Sequence, residues 1–477
     1  MTEAAPADRI NALLAQTDAV RAALGGDFHD RIVEATFTDA AAIADHAVTR
    51  DGETQRFDLT RAIDRWVTHP RWGFVFMALL FTVVFWLTIA GANVPSALLG
   101  EFFNHTLYGW LHTAAAWIGT PKWLSGLLID GVYLSTGWVI SVMLPPMAIF
   151  FPLFTLLEDF GYLPRVAFNM DALFHRAGAH GKQALTMMMG YGCNAAGVVA
   201  TRIIDSPRER LIAILTNNFS ICNGRWPTLI LMGTIFIGAF APAWASSLIA
   251  SLSVVTTALI GIVMTLLISR VLSRTLLKGE ASAFSLELPP YRPPQIWQTL
   301  YRSIIDRTVL VLWRAITMAA PAGAIIWLVS NITLDGGTLA WHLVNFLNPV
   351  GLFFGLNGVI LLAYVIAIPA NEIVIPSILM LTLNFARSSL AQQGVMLQLE
   401  DAQVYQVLTQ LGGWTLSTAV CLMLFSLLHN PCGTTIVTIY KETKSLKWTA
   451  VAVLMPLAIG FTVTGSVANI WRLLERF

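Results

Sequence analysis

Apolar residues run through this chain in stretches long enough to cross a lipid hydrocarbon layer, and that constraint precedes every other. A helical crossing needs about 20 mostly apolar residues. Such stretches occupy about residues 73–92, 132–157, 183–201, 209–239, 246–270, 308–330, 351–369, 372–386, 413–429 and 448–470. Several are too short or too interrupted to be ordinary spans, so broken or re-entrant helices are expected beside full crossings. Composition agrees, with 56% hydrophobic and 12% charged residues, against about 45–50% and about 25% in soluble domains. The expected fold is all-α, a polytopic transmembrane helical bundle whose first partner is the lipid bilayer. A net charge of +1 gives no reason to expect nucleic acid as a partner.

Charge placement orients the chain. Arg56, Arg61, Arg65 and Arg71 precede the first apolar run, which puts the N-terminus in the cytoplasm by the positive-inside rule. No apolar run lies within the first residues, so the first span rather than a cleaved signal is expected to direct insertion. Residues 158–182, 202–210 and 271–307 hold most of the remaining arginines and lysines and are placed on the same side. The stretch 91–131 carries few charges, and Trp110, Trp117 and Trp123 at amphipathic spacing. It reads as a periplasmic loop lying on the membrane interface.

The run KGEASAFSLELPPYRPP (278–294) cannot continue a helix and divides the membrane part in two. The expected organisation is a polar, linker-like cytoplasmic segment over 1–70, a first membrane half over 71–277, a cytoplasmic connector over 278–307 and a second membrane half over 308–477. Placing Cys193 over Cys432 aligns CNAAGVVATRIIDSPRERLIAILT with CGTTIVTIYKETKSLKWTAVAVLM without a gap. Arg202 then matches Lys441, Ser206 matches Ser445 and Arg208 matches Lys447. Each half reads as cysteine, short helix, basic turn, long helix, and transporters commonly carry their substrate site where such repeats meet.

Five motifs bear on chemistry. In MMMGYGCNAAG (187–197), Gly190, Gly192 and Gly197 flank Cys193 and Asn194; close helix packing explains this, and so does a broken helix facing a wet cavity. LTNNFSICNGRWP (215–227) gathers Asn217, Asn218, Ser220, Cys222, Asn223 and Arg225 between apolar stretches. Such groups are costly in hydrocarbon unless they serve a path or satisfy one another. Glu372 in AIPANEIVIPSILML (367–381) is the only charge between Asp335 and Arg387, with Pro369 and Pro376 around it; it suits an ion ligand, a proton carrier or a glutamate reaching water. HNPCG (429–433) sets His429 and Cys432 beside a proline and a glycine. Glu158 and Asp159 in LLEDFGYLPRVAFNMDAL (156–173) either collect a divalent cation at a pore mouth or pair with Arg165. The Met187–Met189 run and the tryptophans are read as packing and interface anchors.

Thiol, amide and carboxylate groups together suit a borderline divalent metal better than calcium or magnesium. The four cysteines lie in or beside apolar runs, which does not suit a disulfide framework. No phosphate-binding loop occurs; GAHGKQ (178–183) lacks the spacing and the Ser/Thr that a nucleotide and its magnesium need. HExxH, GxSxG and paired CxxC motifs are absent as well. The expectation is a chain that is not an enzyme, with no GTP site and no permanently bound cofactor.

These motifs, taken in order, resemble the FeoB ferrous iron transporter family over about residues 60–470. GYGCNAAGVVATRIIDSPRERLIAIL resembles the stretch built around GCN, ATR and an ERL turn, and NNFSICNGRWP its partner segment. DRWVTHPRWG, LLEDFGYLPRVAFNMD, KGEASAFSLELPPYRPP, NEIVIPSIL and PCGTTIVTIYKETKSLKW continue the match. The resemblance implies two gate-type repeats and inward passage of Fe²⁺, the substrate, through a bacterial inner membrane. It also implies metal or path roles for Cys193, Asn194, Cys222, Glu372 and Cys432. Gly192, Asn217, Asn218, Ser220, Glu158 and Asp159 are expected to contribute to the path or its gating. Ala196 stands where the family has proline, Asn218 replaces the proline of Asn-Pro-Phe, and the family's N-terminal GTP-binding domain has no counterpart in this sequence. A separate GTPase subunit and a homo-oligomer are therefore expected partners to test. Carriage of Mn²⁺, Zn²⁺ or a nucleoside, and a non-transporting regulatory role, stay open.

Overall fold

The computed structural model describes residues 13–14, 16–17, 28–47, 59–69, 71–178, 181–240, 242, 245–278, 291, 295–334, 337–385 and 401–475. Most of the run 278–294 within the connector and most of the N-terminal segment before Phe28 lie outside them. The described chain is almost wholly helical. Its helices are α1 (Phe28–Ala47), α2 (Leu59–Val67), α3 (Trp72–Ile118), α4 (Lys122–Phe160), α5 (Tyr162–Arg176), α6 (Gln183–Gly192), α7 (Asn194–Ala200), α8 (Pro207–Thr216), α9 (Trp226–Ile237) and α10 (Ser246–Arg274). After the connector come α11 (Ile296–Asn331), α12 (Leu339–Phe353), α13 (Gly358–Ile366), α14 (Val374–Phe385), α15 (Asp401–Gln406), α16 (Leu416–Leu428), α17 (Gly433–Thr443) and α18 (Leu446–Leu474). The one strand pair, Thr333–Leu334 with Gly337–Thr338, is a two-residue antiparallel ribbon with Thr333 opposite Thr338.

Among the described residues six helical stretches are long and apolar enough to cross a membrane, and α12 with α13, bent by 110°, makes a seventh as a broken pair. The long helices α3 and α10 lie at the outside. On α10, Leu248, Leu252, Val255, Leu259, Val263 and Leu267 form an exposed apolar stripe, which in lipid needs no protein partner. The short helices lie inside. Val359, Ile360, Leu361, Leu362, Ala363 and Tyr364 of α13 are all buried, as are Ile378 to Leu381 of α14. A helix apolar on every face belongs in the middle of a bundle.

One expectation is corrected. Residues 91–131 do not form a loop: α3 runs for 47 residues and turns at Gly119 (φ 71°) before α4. At a rise of about 1.5 Å per residue that is about 70 Å, more than twice the hydrocarbon thickness of about 30 Å. Pro95 lies within α3 without ending it, and the scarcity of charges that suggests a loop equally lets the helix continue. Trp110, Trp117 and Trp123 are nonetheless exposed on this hairpin. The helix α11 begins at Ile296, ahead of the apolar stretch that starts at about residue 308.

The aligned halves share local construction. Cys193 and Cys432 are the N-cap residues of α7 and α17, and Ser206 and Ser445 cap α8 and α18, each hydroxyl accepting from the backbone N–H three residues on at 3.5 Å. The short helices α7 and α17 pack on one another. Beside them Glu442 of α17 accepts from Arg202 at 2.6 Å and Arg210 at 3.1 Å, so the basic turn of one half is tied to the other.

At the end bearing α2, Arg165 is buried against Asp64. Its Nε and Nη2 donate to the two carboxylate oxygens at 3.0 and 3.2 Å, and its Nη1 to Gly161 O at 2.8 Å. Gly161 sits at φ 88° between α4 and α5, a conformation glycine adopts without penalty. Tyr291 donates to the same Asp64 at 2.9 Å, and its ring lies 4.1 Å from the guanidinium. Burial, then the Asp64 carboxylate, push the Tyr291 hydroxyl above its ordinary range.

Candidate functional site

Four interruptions of helical structure meet in the interior. Between α6 and α7 only Cys193 is extended (φ −153°, ψ 121°). A second break follows the turn Asn217–Phe219 and carries Cys222 to Gly224 before α9 begins at Trp226. Between α13 and α14, Ala370 is extended (φ −151°, ψ 114°) and Asn371–Ile373 is a single turn bearing Glu372. The fourth runs from His429 to Cys432, between α16 and α17. Backbone groups freed by one break are taken up by another: Asn223 N donates to Gly192 O at 3.2 Å, and Gly433 N to Ile368 O at 2.7 Å. Non-helical backbone at membrane depth is tolerated where protein supplies such partners.

The breaks surround a cavity of about 30 Å³, lined by Gly192, Cys193, Asn194, Cys222, Glu372 and Cys432, with Asn223, Asn371 and Thr434. Met143 and Met147 of α4 and Val311 and Ala315 of α11 close it with apolar surface. That volume exceeds the roughly 10–15 Å³ that one water needs and falls far short of the roughly 300–1,000 Å³ of small-molecule pockets. Among the described residues, no three of His, Cys, Asp and Glu stand close enough together to hold a metal ion. The thiols and the carboxylate face one space without forming a closed ligand cage. All four cysteines are free, and Cys421 lies elsewhere, buried in α16 with its sulfur 3.9 Å from Thr464 O.

The surrounding polar groups fix these walls. Asn217 donates to Asn194 O at 2.8 Å and so ties the second break to the first. Gly190 makes room for it, because a Cβ there would stand 2.7 Å from Asn217 Oδ1. Gly224 does the same for Glu372, whose Cδ would lie 2.7 Å from an added Cβ. His429 is buried, with Nδ1 2.8 Å from Ser426 O. That contact makes Nδ1 the donor, and Nε2 lies 3.4 Å from Asn371 Oδ1.

The structure thus brings Gly192, Cys193, Asn194, Cys222, Glu372 and Cys432 to one cavity, whereas Asn217, Asn218 and Ser220 are buried outside its lining. Glu158 and Asp159 are not brought there. They lie exposed in the last turn of α4, where Asp159 accepts from Thr299. Arg165 takes Asp64 as its carboxylate partner, and Asp64 sits on α2, about 100 residues away in sequence. Sequence reasoning passed over Asn371 and left Asn223 among the general polar residues. The signals were present: Asn223 follows Cys222 as Asn194 follows Cys193, and Asn371 stands directly before Glu372.

Comparison with known proteins agrees in extent with these elements. The family model Gate (nucleoside recognition) matches residues 140–236 and 312–446, and the model for the ferrous iron transport protein B C terminus matches residues 254–306. An Fe(2+) transporter FeoB of Staphylococcus aureus (strain MSSA476) is 32% identical over 422 residues, 87% of this chain and 60% of that protein. An Fe(2+) transporter FeoB of Helicobacter pylori (strain ATCC 700392 / 26695) is 28% identical over 61% of this chain and 43% of its own length. A Porphyromonas gingivalis (strain ATCC BAA-308 / W83) Fe(2+) transport protein A/Fe(2+) transporter FeoB fusion protein is 32% identical over 59% of this chain and 31% of its own. The chain therefore spans about 60% or less of the length of these relatives. No solved structure matches.

Proposed function

From the premise that this chain belongs to the FeoB ferrous iron transporter family, matching its membrane portion, we propose that it passes Fe²⁺ across a bacterial inner membrane through the cavity between the four breaks. The observation that carries this reading is the lining: three thiols and one carboxylate, drawn from four regions of sequence, face one small space. Sulfur ligands favour borderline and soft ions over calcium and magnesium, and among first-row divalents Fe²⁺ binds weakly. A cavity of about 30 Å³ admits an ion only after most of its water is shed, so thiol, carboxylate and amide groups replace that shell.

Conduction needs binding strong enough to admit the ion and weak enough to release it. A lining without a closed three-ligand cage fits that need better than a storage site would. In this reading the ion passes between Cys193, Cys222, Cys432 and Glu372, with Asn194, Asn223 and Asn371 as neutral oxygen donors. Gly192 leaves space at the wall, and Asn217, Asn218 and Ser220 hold the breaks in register. The N-terminus lies in the cytoplasm, and a separate GTPase subunit docks on the basic turns there to drive opening.

The description of the matching Gate model as nucleoside recognition raises an organic substrate as a second reading. The cavity is too small for a nucleoside, and its lining offers no aromatic face against which a base would stack. Proteoliposomes containing only this chain decide the matter. Saturable entry of Fe²⁺ that Zn²⁺ or Mn²⁺ competes with and a nucleoside does not is the expected result. Nucleoside uptake would overturn it, and absence of all flux even with the GTPase subunit added would assign the chain a non-transporting role.

A further inference from the structure

Among the described residues Arg225 is the one fully buried cation beside the cavity, 1% exposed, and the proposed ion path gives it no task. Its surroundings are unusual for a buried charge. Nη1 donates to Asn218 O at 2.7 Å and Leu427 O at 3.1 Å. Nη2 donates to Asn218 Oδ1 at 2.9 Å, His429 O at 3.3 Å and Asn430 O at 3.2 Å. Every partner is a neutral oxygen, and Nε has none.

Those five oxygens come from both halves. Asn218 belongs to the second break, while Leu427, His429 and Asn430 are the unwound end of α16. The last carbonyls of a helix have no partners within it and carry the negative end of its dipole. Unwound carbonyls and helix C-termini are what coordinate small cations in discontinuous-helix transporters. Asn218 adds its own bond across the same junction, Nδ2 to His429 O at 2.6 Å.

We propose that Arg225 is a tethered cation: its guanidinium fills an oxygen cage between the two halves that would otherwise hold a free cation. By filling it, Arg225 pins the second break to the fourth, and so fixes Cys222 and Cys432 on the walls of one cavity. It is a positioning residue, and the ligand class of the cage once vacated is a small guanidinium-type cation. This does not depend on which substrate the chain carries, and its test reads stability rather than flux.

Arg225→Ala in the full-length protein leaves space for the side chain beyond Cβ, which ethylguanidinium reproduces with its charge and ethylurea without it. Thermal unfolding is expected to fall by several degrees in R225A, to recover with ethylguanidinium at sub-denaturing concentration and not with ethylurea, and to be indifferent to both in the unsubstituted protein. Equal recovery with both, recovery with neither, or an unfolding temperature unchanged by the substitution would overturn the proposal. Should R225A not accumulate, Arg225→Lys and Arg225→Gln decide: the lysine variant is expected to accumulate well above the glutamine variant. Equal levels would show that charge is irrelevant and overturn it equally.

Discussion

At the scale of residues, the candidate site rests on small side chains that leave room for large polar ones. Gly224 is the clearest instance, since an added Cβ there falls upon the Glu372 carboxyl. The carboxyl is the far end of a flexible side chain and can swing aside, so Gly224→Ala should fold with an overpacking cost no larger than about 1–3 kcal/mol. Fe²⁺ uptake should nevertheless fall by about tenfold or more, the size of effect that mispositioned ligands produce. Uptake and thermal unfolding of the same preparation check this, and unchanged uptake would remove Glu372 from the path. Cys193, Cys222, Glu372 and Cys432 were each legible as candidates because cysteine and glutamate are conspicuous in apolar sequence. Their meeting was not legible, because it follows from which breaks exchange backbone bonds: Asn223 with Gly192, and Gly433 with Ile368. Arg225 was read as one polar residue among several, since its five oxygens lie up to 205 residues away.

At the scale of elements, the same interruptions that mark broken helices in the sequence also reveal where the chain re-enters its own core. Glycine and proline pointed to breaks at Cys193, Glu372 and Cys432, whereas the break at Cys222 falls inside what reads as one apolar stretch over 209–239. The hairpin of α3 and α4 was misread because few charges lie between Gly91 and Gly119 and Pro95 is carried inside the helix rather than ending it, a pattern that fits an interfacial loop and a continuing helix alike. The docking of α2 on α5 was invisible in sequence, because Asp64 and Arg165 are joined only by packing. It also supplies a test. Tyr291 keeps its proton in the folded state beyond the ordinary tyrosine range, so its bond to Asp64 contributes fully below about pH 10 and is lost as pH rises past that point. The unfolding temperature of the unsubstituted protein should exceed that of Tyr291→Phe by a constant margin from neutral pH up to about pH 9, and the margin should shrink above it. A margin that shrinks on acidification through neutral pH would contradict the assignment.

At the scale of the whole molecule, two halves of similar local construction face each other and are joined at two levels. Arg225 and Asn218 bind the unwound end of α16 beside the cavity, and Glu442 binds Arg202 and Arg210 at the basic turns. The thiol-lined cavity adjoins the inner junction. Any opening that releases an ion toward the basic turns has to part α7 from α17, which pack on one another there. The central claim is that three of the four thiols face one ion path and the fourth does not, and Fe²⁺ uptake into proteoliposomes by the four single Cys→Ser variants tests it most directly. The account predicts that Cys193→Ser, Cys222→Ser and Cys432→Ser each lower uptake by about tenfold or more, while Cys421→Ser, buried in α16 away from the cavity, leaves it unchanged. Equal loss in all four, or loss in Cys421→Ser alone, would contradict it.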